Sequence, residues 1–160
     1  LVRWHPSRQS DVLSEVPSNH VLVLGGGRNA HPLLRLLRES DYETVVVDED
    51  PTVVDRLRDR GITCVRGDGR DRSVLLEAGG AQARVVVSLL RDPTAVGPLL
   101  DYVGDTVPIL VRVFEDHEAA WVEAQGGTPI RFAHAAGDAF MDWFRQMQST
   151  AQNEPTPPSP

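Results

Sequence analysis

Of all stretches in this chain, HVLVLGGGRNA at 20–30 most restricts what it can fold into. Val21, Leu22, Val23 and Leu24 form an aliphatic run that passes without a polar break into Gly25, Gly26 and Gly27, and then into a leucine-bearing segment of helical period. That order opens a βαβ unit: a strand buried on both faces, a turn too tight for side chains, and a helix returning across the sheet. The glycines have separate tasks. Gly25 permits the turn, Gly27 brings the backbone close to a pyrophosphate, and Ala30 takes the third position of G-x-G-x-x-G/A, small enough for helix to approach strand. Amides at the helix start then face phosphate. Further on, Thr44-Val45-Val46-Val47 ends at Asp48, where an acid accepts hydrogen bonds from a ribose.

The rest of the chain repeats the alternation. Leu33, Leu34, Leu36 and Leu37 read as core, although Pro32 requires either a late helix start or a distorted first turn. Asp50-Pro51 opens a second helix that buries Val53, Val54 and Leu57 and ends at Gly61. A strand over 62–65 follows, then a helix over 72–78 with Val74, Leu75 and Leu76 inward and Gly79-Gly80 as its stop, and a strand over 84–89. Gly97 and Pro98 sit inside the helical stretch 93–103, so a late start or a break is expected there. A strand over 107–113, a helix over 115–125, a strand over 129–133 and an amphipathic helix over 137–148 complete the series. Six strands alternating with helices predict an α/β, Rossmann-like, doubly wound parallel sheet in a single domain. Residues 1–18, which include Trp4, read as a linker, 19–148 as the domain, and 149–160, rich in proline, as a disordered tail. The expected crevice gathers Gly25, Gly26, Gly27, Arg28, Asn29, Ala30, Asp48, Glu49, Asp68, Gly69 and Ser88 at the carboxyl ends of the strands.

Composition removes several alternatives. A length of 160 residues accommodates one ordinary domain, not the two a typical dehydrogenase needs. The net charge of −7 argues against a nucleic-acid surface. All 16 basic residues are arginine, which excludes a P-loop lysine, a Schiff base and a lysine general base. No apolar run is long enough to span a bilayer, so no direct membrane insertion is expected. The lone Cys64 and the polar N-terminus point to a reduced, cytoplasmic setting, and the start at Leu1 leads us to expect a fragment of a longer chain. The histidines lack metal-ligand spacing, Ser88 lies in no G-x-S-x-G elbow, and Glu115, Asp116 and Glu118 read as helix-capping acids.

With these residues placed, the chain resembles the N-terminal half of RCK domains (KTN, or TrkA-N), regulators of potassium channels and of Trk/Ktr-type potassium transporters. NHVLVLGGGRNA, VVVDEDP, GITCVRGDGRD, LLEAGGAQARVVVSL and ILVRVFEDHEAAWVEAQGGTPIRF carry the resemblance over about 19–147. It implies a non-enzymatic sensor that binds an adenine nucleotide, NAD(H) or ATP/ADP, forms a homodimer or a higher ring, and moves a membrane-embedded potassium channel or transporter subunit from the cytoplasmic side. By motif position Gly25, Gly27 and Ala30 would line the phosphates, Asp48 the ribose and Asp68 the adenosine side, with Arg28 reaching phosphate through its two-pronged guanidinium. An acid at Asp48 repels a 2′-phosphate, which favours NAD or ATP/ADP over NADP.

The chain departs from the pattern at Asn29, Ala30 and Pro32, so a domain that assembles without binding any nucleotide stays open. The positions that hold calcium in calcium-gated relatives fall at Ser88, Arg112 and Phe114, and no calcium is expected there. The resemblance does not extend to the family's C-terminal ligand-binding subdomain within these 160 residues. An NAD-dependent oxidoreductase fragment is the remaining alternative.

Overall fold

The computed structural model describes residue 13 and residues 15–152, with the side chains of 133–136 and 147–152 outside that description. Trp4 and residues 153–160 of the expected tail lie outside it as well. Strands β1 (Val21–Leu24), β2 (Thr44–Asp48), β3 (Thr63–Arg66), β4 (Val85–Ser88), β5 (Ile109–Val113) and β6 (Thr128–Arg131) form one parallel sheet in the order β3-β2-β1-β4-β5-β6. This is the doubly wound Rossmann-like order. β1 is central, and all four of its residues are buried. Its alternate side chains feed two cores: Val21 and Val23 pack with Leu34, Val54 and Leu57, while Leu22 and Leu24 pack with Leu75, Leu99 and Val122. Helices α1 (His31–Glu39) and α2 (Pro51–Asp59) therefore cover one face. Helices α3 (Arg72–Glu77), α4 (Gly97–Val103) and α5 (Asp116–Ala124) cover the other.

Proline explains most departures from the expected boundaries. Pro32 occupies the first turn of α1, and the residues before it, Arg28–Ala30, are wound as a 3₁₀ turn, so the helix start is distorted as the sequence required. Pro98 does the same for α4, which starts at Gly97 after a 3₁₀ turn over Pro93–Val96 capped by Asp92. Pro129 is tolerated inside β6 because this edge strand pairs only with β5 and needs no donor on its free side. Two leucines expected in the core are not there: Leu36 is 56% and Leu76 46% exposed. Helix α6 (Phe132–Gln152) begins directly after β6, five residues before the expected start, because Gly137 lies inside it as an ordinary helical residue with open space where a Cβ would be. The helix exposes Phe140, Met141 and Trp143, and Phe140 stacks on Phe144 at 6.0 Å.

At the amino end of β1, His20 is fully buried, and its Nε2 lies 2.9 Å from the Ala78 carbonyl, so that nitrogen carries the proton. Burial lowers its pKa from 6.5, outweighing the carbonyl that favours the charged form. The folded state thus prefers neutral His20, while the unfolded chain takes up a proton near its ordinary pKa. The stabilisation is complete above pH 6.5 and is lost as the pH falls through that value toward the depressed folded pKa. Urea midpoints are expected to fall between pH 7.5 and pH 5.5, and the His20→Gln variant is expected to lose most of that dependence.

Candidate functional site

The glycine turn is built by strand geometry and by packing from below. Gly25 has φ +92° and donates from its amide to the Val47 carbonyl at 2.8 Å, continuing the β1–β2 ladder for one residue before the chain turns away. Gly26 is buried over α2. A Cβ there would stand 2.6 Å from Leu57 Cδ1 and 2.9 Å from Val46 Cγ1, so this glycine sets how closely the turn approaches the second βα unit. Gly26→Ala is expected to cost about 1–3 kcal/mol in chemical denaturation, the usual range for an overpacked core. At Gly27 a Cβ would meet nothing within 4 Å, and its amide has no partner among the described residues. The turn therefore presents an open backbone donor at its outer side.

Asp48, at the carboxyl end of β2, faces this turn. Its Oδ2 accepts from the Gly26 amide at 2.7 Å and its Oδ1 from the Asp50 amide at 2.9 Å. A carboxylate has about four lone-pair sites, so two backbone donors lock its orientation and leave capacity for a diol. Asp50 in turn caps α2, accepting from the Thr52 amide at 2.8 Å. Across from Asp48, after β3, Asp68 grips Arg70 in a two-pronged pair, with Arg70 Nε at 3.0 Å from Oδ1 and Nη2 at 2.8 Å from Oδ2. The side chain of Arg70 holds the Asp68 carboxyl below the usual carboxylate range, so both remain charged near neutrality.

Gly25, Asp48, Glu49, Asp68 and Gly69 line one cleft of about 320 Å³ at the carboxyl edge of the sheet. Its remaining wall lies outside the expected set: Val47 from β2, Gly67 and Arg70 from the turn after β3, and Leu90, Arg91, Asp92 and Ala95 after β4. The signal for the last group is positional, since the segment after the fourth strand borders the switch point between β1 and β4. Gly26, Gly27, Arg28, Asn29 and Ala30 adjoin the cleft through the turn without lining it. Arg28 and Asn29 are exposed, and Ala30 is 1% exposed beneath α1. Ser88 is fully buried at the end of β4, and its Oγ has no partner among the described residues; Leu90, Arg91, Asp92 and Ala95 reach the cleft in its place.

On β5, Arg112 is 6% exposed and lies between the rings of Phe114 and Phe132 at 5.1 and 5.9 Å, and burial depresses its pKa. At the start of α5, the Glu118 carboxylate caps the helix, accepting from the amides of Phe114 at 2.7 Å and Glu115 at 3.0 Å. Those donors hold the Glu118 pKa low. Of the expected capping acids, Glu115 and Glu118 form a reciprocal capping box.

The family model for the TrkA-N domain matches residues 21–126, from the first strand through the last helix before β6. The chain belongs to the TrkA-N domain family. This TrkA-N domain is 32% identical over 104 residues to the glutathione-regulated potassium-efflux system protein KefC of Escherichia fergusonii. That match covers 65% of the chain and only 17% of the relative. Among solved structures, the TrkA-N domain of the inner membrane protein ybaL from Escherichia coli superposes with TM-score 0.73 at 23% identity, covering 79% of this chain and 97% of that one. The GsuK channel bound to NAD superposes with TM-score 0.66 at 25% identity, covering 80% of this chain and 23% of that one. The Shewanella denitrificans Kef CTD in AMP-bound form gives TM-score 0.63 at 20% identity, over 83% and 94% respectively. The first and last of these likenesses are of fold.

Proposed function

We propose that this TrkA-N domain is a nucleotide-sensing regulator of a potassium channel or potassium-efflux system, acting on the cytoplasmic side through a membrane-embedded partner. The observation that carries the proposal is the Asp48 carboxylate, held by the Gly26 and Asp50 amides beside a glycine turn whose outer amide is open. A ribose hydroxyl pair fits the free lone pairs of Asp48, and an anion attached to that sugar then reaches the Gly27 amide. Gly25, Gly26, Gly27, Arg28, Asn29 and Ala30 form the phosphate side of the proposed site. Asp48 and Glu49 form the ribose side, and Asp68 and Gly69 the adenosine side. Ser88 supports the site from beneath.

The family assignment and the relatives' potassium-transport names support the regulatory role, and the NAD-bound and AMP-bound neighbours support an adenine nucleotide as ligand. No enzymatic step is assigned to the domain. Among the described residues no helix is long and apolar enough to cross a membrane, so coupling to ion flux runs through another segment or chain. The exposed aromatics of α6 supply a surface for pairing two copies.

Thermal melts with NAD, NADH, ATP, ADP, AMP and NADP test the reading. A nucleotide at 100 times its Kd adds about 2.7 kcal/mol to the folded state, equivalent to a rise of roughly 5–10 °C. At least one non-2′-phosphorylated adenine nucleotide is expected to give that shift and NADP is not. A second reading, an assembly module without a nucleotide, is favoured by the 3₁₀ turn that replaces the first α-helical turn at Arg28–Ala30. A flat response to every nucleotide would establish it.

A further inference from the structure

A groove with a basic rim runs along the seam between α1 and α2. Two hollows of about 440 and 560 Å³ share Leu34, Arg38, Arg60 and Ile62, and together they extend from His31 at the start of α1 to Thr44 and Thr63 at the amino ends of β2 and β3. Leu34, Val45 and Leu57, at 5%, 3% and 1% exposed, close the floor from beneath, and the accessible apolar surface comes from Pro32, Tyr42 and Ile62. The rim is cationic, with Arg35 and Arg38 from α1 and Arg60 closing α2, and Glu43 is the one acid among the lining residues. In a chain of net charge −7 this inverts the overall balance.

The cations of the rim are poorly used within the domain. Arg35 reaches Glu39 only at 4.0 Å with both side chains exposed, a pair of little worth. Arg38 and Arg60 have no carboxylate partner among the described residues. Each sits near the C-terminal end of a helix, where the dipole favours a cation, and that suffices for their presence singly. The dipole does not account for two further features: Pro32 and Tyr42, apolar groups left exposed beside the guanidinium groups, and His31 Nε2, which is shielded from solvent on the same groove with no hydrogen-bond partner among the described residues.

We propose that the α1–α2 seam is a docking groove for an acidic amphipathic segment of a partner protein, whose carboxylates pair with Arg38 and Arg60 while its apolar side chains cover Pro32, Tyr42 and Ile62. The occupant follows from charge and shape. Carboxylates complement a rim of arginines, and two hollows placed end to end suit an extended or helical segment. A flat lipid surface cannot reach the concave floor. A second copy related by a two-fold axis would set arginine against arginine. This inference is independent of the nucleotide reading.

The test is fluorescence anisotropy with a labelled helical peptide carrying glutamates on one face and leucines on the other, against the same peptide with lysines in place of the glutamates. The glutamate peptide is expected to bind at low salt and the lysine peptide is not. The R38E/R60E variant is expected to weaken binding by about tenfold or more, while retaining the parent's melting temperature and its response to nucleotides. Should that variant fold poorly, R38Q/R60Q keeps the aliphatic stems and is expected to give a smaller loss in the same direction. Equal affinity for parent and folded variant overturns the proposal. So does indifference to peptide charge, or binding to phosphatidylserine vesicles with none to the peptide.

Discussion

Replacing Gly79 with alanine is expected to lower the melting temperature by roughly 10 °C. Gly79 follows α3 in the left-handed region at φ +69°, where an L side chain costs about 1–2 kcal/mol. A Cβ there would also drive into the Pro17 carbonyl and stand 3.0 Å from Cε1 of His20. Neither neighbour has room to yield. The Pro17 carbonyl is backbone, and His20 is fully buried and tied to the Ala78 carbonyl. Overpacking of that kind adds about 1–3 kcal/mol, so the total is ~3 kcal/mol. Gly61 serves as the control. It has φ +77°, but a Cβ there meets nothing within 4 Å, so Gly61→Ala is expected to show the conformational cost alone. Equal losses for the two variants, read by calorimetry, would show that the 17–20 segment does not press on the turn after α3.

Asp48→Ala is expected to abolish the whole nucleotide-dependent rise in melting temperature. The change removes the proposed ribose acceptor and releases the Gly26 amide, which is held at 2.7 Å in the parent. A buried donor left without a partner costs about 1–3 kcal/mol, so the unliganded variant is expected to melt lower as well. Asp48→Asn separates the two effects. Its carbonyl oxygen still accepts from Gly26, but its amide nitrogen cannot accept from the Asp50 amide, so turn geometry is largely retained while ribose binding weakens. Calorimetric titration of parent, Asn and Ala forms with NAD and AMP reads the series. Undiminished binding by the Ala form would sink the assignment of the ribose to this carboxylate.

The part of the fold written most clearly in the sequence is the part governed by local backbone chemistry. Gly25, Gly61 and Gly79 stop or turn the chain at positive φ, and Asp50 caps the helix that follows β2. Each of these follows from a residue and its next few neighbours. Local chemistry does not decide positions that depend on distant packing. Leu36 and Leu76 have the right chemistry for the core and the wrong angular position on short helices, where one step around the axis exchanges floor for solvent. The start of α6 was placed too late because Gly137 has the form of a helix boundary.

The candidate site divides the same way. Asp48 was legible because a strand of β-branched residues ends on an acid at a set distance from the glycine turn. Ser88 was placed in the crevice by its position at a strand end, yet β1 and β5 flank it on both sides and enclose it, and Leu90, Arg91 and Asp92 carry the chain out to the cleft.

From sequence alone came the alternation of strand and helix, the conformation of the turning glycines and the carboxylate opposite them, because these depend on backbone sterics and side-chain period within a few residues. Only the tertiary structure decided which distant segments share a cleft and which cations share a groove. Side-chain period assigns a residue to a face, while strand order and the placing of α1 and α2 on one face of the sheet assign it its neighbours. For that reason the places of Arg70 and Arg91 on the cleft, and of Arg38 and Arg60 on the groove, are set only when the sheet is assembled.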